Sequence, residues 1–297
     1  MSVFYKKETL IRTICFMSFF VAINVICSFL TTVLPLLSII LIIFLPLTSA
    51  LVEVMCKDRW FPIYAFATIG LSIVVSLQSI DFTIFYIVPS IFTGYIFGLC
   101  SKKGIPNMVA VFVASIIQTG LSFAFIPLIQ LITDQNILDV FVKIFGISDR
   151  FWFETLILVI FFIVSLIQII LSFIVVDNEL KKFTDGKKIK YDQKSIASYS
   201  TLISVAIAVI LLFFALSVSY LFICFSIYFA VFVIYEQVKE KSKLLLAIDG
   251  VSLFVTIILF ALLNHYFETG REFILITIAP GLVSATSILH SFLKKSE

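Results

Sequence analysis

The chain has 297 residues, 61% of them hydrophobic and only 13% charged, with a mean hydropathy of +1.18 and a formal net charge of +3. A soluble domain lies nearer half apolar and a quarter charged, so this balance excludes a water-soluble globule and marks a polytopic membrane protein. Apolar runs of about 20 residues recur without strict alternation, which predicts an all-α bundle of transmembrane helices and excludes a β-barrel.

In chain order, Lys6 and Lys7 precede a first apolar run. No small-x-small cleavage site follows it, so an uncleaved first span is expected over about 10–30, with Arg12 near its start and Asn24 deeper. Span 2, about 34–55, carries Pro46 and ends in the polar knot Lys57–Asp58–Arg59–Trp60. Glu53 lies four positions before Lys57, the spacing of an i,i+4 ion pair. Span 3 covers about 61–78, and Gln78 to Asp81 turn the chain into span 4, about 82–100.

Span 4 ends in Gly94, Gly98, Lys102, Lys103 and Gly104. Glycines one turn apart expose backbone on one helix face, where another helix can approach closely in lipid. Pro106 opens span 5, about 106–131, in keeping with proline at a first helical turn. In the loop 132–150, Ile137, Leu138, Phe141, Ile144 and Phe145 recur at helical spacing, which predicts a short interfacial helix. Phe151–Trp152–Phe153 then form an aromatic belt opening span 6, about 152–176, with Glu154 within i,i+4 reach of Arg150.

The segment 177–195 is rich in lysine and reads as a loop between a six-span unit, 1–176, and a four-span unit, 196–297. The apolar stretch of about 196–235 is too long for one span and is expected to turn near Ser217–Ser219. Spans of about 244–264 and 272–292 complete a set of about ten, with both termini cytoplasmic. Charge decides the count: in this arrangement 18 of the 21 basic residues fall on one side, leaving Lys143, Arg150 and Arg271 on the other. That bias is the positive-inside pattern and implies a multi-pass protein of the cytoplasmic membrane.

Catalysis finds no foothold. No P-loop, H-E-x-x-H or G-x-S-x-G is present, and His265 beside Asn264 has no carboxylate or nucleophile at a defined spacing. An enzyme is not expected, nor a cofactor or a metal site, since there are two histidines and five dispersed cysteines without C-x-x-C. The lysines of 177–195 alternate with Asp177, Glu179, Asp185 and Asp192, so nucleic acid is not an expected partner.

The polar residues inside spans leave two readings each. Asp249, six residues after Lys243, is either a carboxylate paired with a snorkelling lysine beside a packing Gly250 or a coupling carboxylate facing the bundle. Asn24, Gln118 and Gln168 are either glue between helices or, for Asn24 and Gln118 together with Gln78 and Asp81, the lining of a ligand pocket near the outer mouth. The glycines Gly94 and Gly98 fall in the half of span 4 nearest its lysines, which suits helix packing or partner docking. Ser18 and Ala22 give span 1 a comparable small-residue face.

The order of features from span 2 to span 5 carries a resemblance. A proline-bearing span (LPLTSAL) ends in a charged knot (KDRW), two coupled spans follow, and then P…G-x-x-x-G…KKG and a further span. In this the chain resembles the YybS-like bacterial membrane family over its whole plan. Over residues 1–176 it is similar to the substrate-binding S components of energy-coupling factor (ECF) transporters. The resemblance implies a vitamin-like small-molecule ligand and a small-residue face on the first helix, here Ser18-x-x-x-Ala22, that docks a coupling subunit served by separate ATPase subunits. The four spans after residue 195 have no counterpart in an S component. A non-transporting scaffold for envelope or division machinery, and a secondary transporter using Asp249, are the expectations from other classes.

Overall fold

A computed structural model describes residues 10–34, 37–77, 83–133, 150–182, 192–264 and 271–296. The described residues are helical, with no strands among them, and contain ten α-helices: α1 (Leu10–Val33), α2 (Leu37–Met55), α3 (Phe61–Val75), α4 (Val88–Lys103), α5 (Asn107–Thr133), α6 (Arg150–Leu180), α7 (Gln193–Leu211), α8 (Leu216–Lys239), α9 (Lys243–Asn264) and α10 (Ile278–Ser296). Seven of them are long and apolar enough to cross a membrane: α1, α5, α6, α7, α8, α9, and α10 with the short 3₁₀ segment before it. The apolar part of α2 (Ile40–Met55), the 15 residues of α3 and the 16 of α4 are shorter. Large apolar side chains point outward along the helices, among them Phe66 at 79% exposure and Leu131 at 80%. Helices satisfy their own backbone groups and turn apolar side chains to the surroundings, which is the solution a hydrocarbon solvent demands. The chain is an integral membrane protein of the all-α class.

Two compact units divide it: residues 1–146 with 161–190, and residues 147–160 with 191–297. In the first unit, α2 and α4 pack most extensively, and α1 lies against α2 and α3. Its core joins Met17 and Val21 of α1, Leu45 and Val52 of α2, Phe61 and Tyr64 of α3, and Ile91 of α4. In the second unit, α7 and α8 form a tight hairpin, and α10 packs against α7, α8 and α9. Ala208, Tyr220 and Ile223 make its core, with Leu156, Val159 and Phe273 packed around them.

Local chemistry explains the helix ends. Gly104 takes φ 67°, a left-handed backbone that closes α4, and the amide of Ile105 donates to the carbonyl of Cys100 at 3.0 Å. Asp192 caps α7 by accepting from the amide of Lys194 and the hydroxyl of Ser195. Pro106 stands one residue ahead of α5, its carbonyl accepting from Val109 and Ala110. The helix α6 runs to Leu180, past the expected end of span 6, where Asp177 and Lys181 pair across one turn.

The turn between α7 and α8 falls at 212–215, not at Ser217–Ser219. Ser219 is already helical, and its hydroxyl donates to the carbonyl of Ala208 at 2.8 Å, tying the two helices together. The interfacial helix expected over 137–145, the residues Gln78, Asp81 and His265, and most of the lysine-rich loop lie outside the described residues.

Candidate functional site

Buried hydroxyls are common in these helices, and many return their proton to the helix itself. Thr31, Ser115, Thr119, Thr201 and Thr256 each donate to a carbonyl three or four residues back, at 2.7–2.8 Å. Against that background the polar groups that reach across helices, and those that reach nothing, stand out.

Asn24 belongs to the first kind. Its amide nitrogen donates to the Tyr64 hydroxyl at 2.6 Å, and its oxygen accepts from Thr48 at 3.0 Å. Ser49 and Tyr64 approach to 3.3 Å. All four residues are buried, so α1, α2 and α3 are joined by a closed network in which the tyrosine is the hub. Gln118 of α5 donates instead to the side-chain oxygen of Gln168 in α6 at 2.6 Å. Asn24 and Gln118 thus enter separate networks on different helices, each with its amide engaged by a neighbour. Tyr64 was not singled out from sequence, because an aromatic in an apolar span carries no mark of its partners.

Gly94 and Gly98 face α2. A methyl group added at Gly94 would collide with the Pro46 carbonyl oxygen and lie 2.6 Å from the Ser49 β-carbon. One added at Gly98 would lie 2.7 Å from the β-carbon of Glu53. The glycine face is therefore consumed inside the protein. Ser18 and Ala22, by contrast, are both exposed.

The seam between α2 and α4 ends in an ion cluster. Glu53, fully buried at its carboxylate, accepts from Lys102 at 3.0 Å, and the same ammonium reaches Asp58 at 2.7 Å and the Cys56 carbonyl at 3.1 Å. The cation seated on Glu53 comes from 49 positions along the chain, where the sequence pointed to Lys57 one turn away. The reason is local: α2 ends at Met55, and Lys57 is extended (φ −74°, ψ 140°), so positions 53 and 57 do not share a helix. The Lys102 hydrogen bond holds the Asp58 carboxyl below its ordinary range.

Asp249 belongs to the second kind. It is 2% exposed, and neither carboxylate oxygen has a hydrogen-bond partner. Lys243, six residues earlier, is exposed. The side chain of Gln237, in the last turn of α8, lies beside Asp249 and is fully buried. Its amide meets the carboxylate in a weak contact that falls short of a well-formed hydrogen bond, and makes no hydrogen bond elsewhere. Gln237 was not singled out from sequence because EQVKEKSK reads as a solvated helix end. Its burial follows from the hairpin, which folds that end back against α9 through the turn 240–242. An acceptor-only carboxylate met by a single weakly placed amide is a place where a further donor-bearing or cationic group would be held. Comparison of the chain with protein-family models, with curated proteins and with solved structures gives no match.

Proposed function

We propose that the chain is a ten-span protein of the cytoplasmic membrane, with both termini cytoplasmic and no catalytic activity of its own, that binds and carries a small solute at Asp249. The observation that supports this is the buried Asp249 carboxylate, which receives no well-formed hydrogen bond and has the Gln237 amide as a weak contact. A carboxylate inside an apolar helix costs about 2.5–3.5 kcal/mol on insertion scales, and a group retained at that cost with one weak contact in the fold is a candidate for function. Here the polar groups proposed for solute binding shift from Asn24 and Gln118, whose amides are engaged within the helices, to the C-terminal unit.

A second reading is favoured by the exposed Ser18 and Ala22. In it, residues 1–176 act as an S-component-like module, as the resemblance to YybS-like proteins and ECF S components implies, and this face docks a coupling subunit with its ATPase partners. A non-transporting envelope scaffold is the reading from another class.

The test is growth of a deletion strain complemented with the wild-type chain or with Asp249→Asn, across a panel of amine, vitamin and nitrogen sources. Carriage at Asp249 expects the variant to share the deletion's defect. A variant that restores growth fully removes Asp249 from the function and leaves the docking or scaffold readings, which co-purification in mild detergent separates.

A further inference from the structure

An apolar groove of about 350 Å³ lies between α8, α9 and the start of α10, a size within the ordinary range for small-molecule sites. Its one polar lining residue is Thr256, and that hydroxyl donates to the Ser252 carbonyl at 2.8 Å. Nothing in the groove therefore orients a polar ligand. Its end does. Gln237 and Asp249 stand side by side on α8 and α9, which the three-residue turn makes antiparallel. Counting away from that pair in opposite directions, Ile234 comes level with Leu253, Ala230 with Thr256, and Ile227 with Phe260. All six line the groove. The stripe that forms the groove on each helix is thus the stripe that carries the orphaned polar group, one turn further toward the Lys243 end.

We propose that this is one continuous site for a single-chain amphiphile with a primary ammonium head, its alkyl chain in the groove and its head between Asp249 and Gln237. The proposal rests on the reading of Asp249 as a solute-binding carboxylate and names the class of solute. An ammonium brings three donors to a carboxylate that has no well-formed hydrogen bond and to the Gln237 oxygen, which is also free to accept. An alcohol brings one donor and leaves the carboxylate charge uncompensated in an apolar setting. A phosphate head would meet the Asp249 carboxylate with like charge. A divalent metal ion would need more oxygen or nitrogen ligands than one carboxylate, and among the described residues no three acidic, histidine or cysteine side chains come together. From Asp249 to Phe260 the site runs about 16 Å along α9, which suits an extended chain of about a dozen carbons.

The test uses the whole protein in phosphatidylcholine nanodiscs, with dodecylamine carrying a diazirine at its chain end and the matched dodecanol probe, crosslinked by light and mapped by mass spectrometry. The amine probe is expected to label the α8 and α9 peptides about tenfold more than the alcohol, the factor that a hydrogen bond to a buried charge supplies. Asp249→Asn, which keeps the side-chain shape, should bring the amine down to the alcohol level. Val231→Trp, at an outward-facing position on the groove rim, should reduce labelling by both probes. Equal labelling by the two probes, or amine labelling unchanged in Asp249→Asn, would reduce the groove to ordinary lipid-filled surface and overturn the proposal. If that happens while Asp249→Asn still shares the deletion's growth defect, the solute class falls and carriage at Asp249 stands. If the amine labels as expected but Asp249→Asn grows like wild type, the site stands and carriage falls.

Discussion

Asp249 and Glu53 are both buried carboxylates, but their surroundings make opposite predictions for removing charge. Asp249 has no counter-charge and no well-formed hydrogen bond, so Asp249→Asn removes a desolvated negative charge that the fold does not compensate. The variant should be more stable than wild type by about 1–3 kcal/mol, seen as a higher melting temperature in detergent. Glu53 is held by Lys102. Lys102→Met strands its charge and should cost about 3 kcal/mol, with Glu53→Gln in the same chain recovering most of the loss. A single variant as stable as wild type would show that Lys102 contributes nothing at Glu53. Asp58 adds a pH signature. Its folded pKa is depressed by Lys102, so its contribution is complete above the ordinary carboxylate range and is lost as pH falls through the lowered value. Asp58→Asn should flatten that acid limb slightly while leaving neutral stability nearly unchanged, because the side chain is 61% exposed and its pairing is screened by solvent.

At the scale of elements, the α2–α4 seam is set by what Gly94 and Gly98 lack. Gly94→Ala would drive a methyl group into the Pro46 carbonyl and should cost about 1–3 kcal/mol or force the helices apart. Gly70→Ala is the control: nothing lies within 4 Å of the added carbon in α3, so it should be neutral or mildly stabilising. Equal melting temperatures for the two variants would refute the close approach. The glycine spacing was legible in the sequence as a packing face, since it needs only the period of one helix. Its partner was not, because α2 advertises Pro46 and no small-residue stripe. The same limit hid the Lys102–Glu53 pair and Gln237. Each depends on which helices become neighbours, and an apolar span says that it wants lipid or protein around it without saying which. The helices themselves were legible because each is a long apolar run, several of them closed by charge or glycine. The α7–α8 turn moved, where serines that read as a turn serve as a strap, and α6 ran on past its expected end.

At the scale of the whole molecule, seven helices among the described residues are long enough to cross and three are shorter, so the proposed ten-span arrangement would have a consequence for the lipid. The 15 residues of α3 make about 22 Å of helix, against about 30 Å of hydrocarbon in a typical bilayer. A short span is met by local thinning of the membrane, at fractions of a kcal/mol per Å of mismatch. The protein should therefore melt at a higher temperature in bilayers of shorter acyl chains and lose stability stepwise as the chains lengthen. A melting temperature independent of chain length would place α3 outside the set of full crossings. Where α3 does cross, the protein carries a thin collar of lipid, and the width of the surrounding bilayer becomes a variable that sets where in a patchy membrane the protein accumulates.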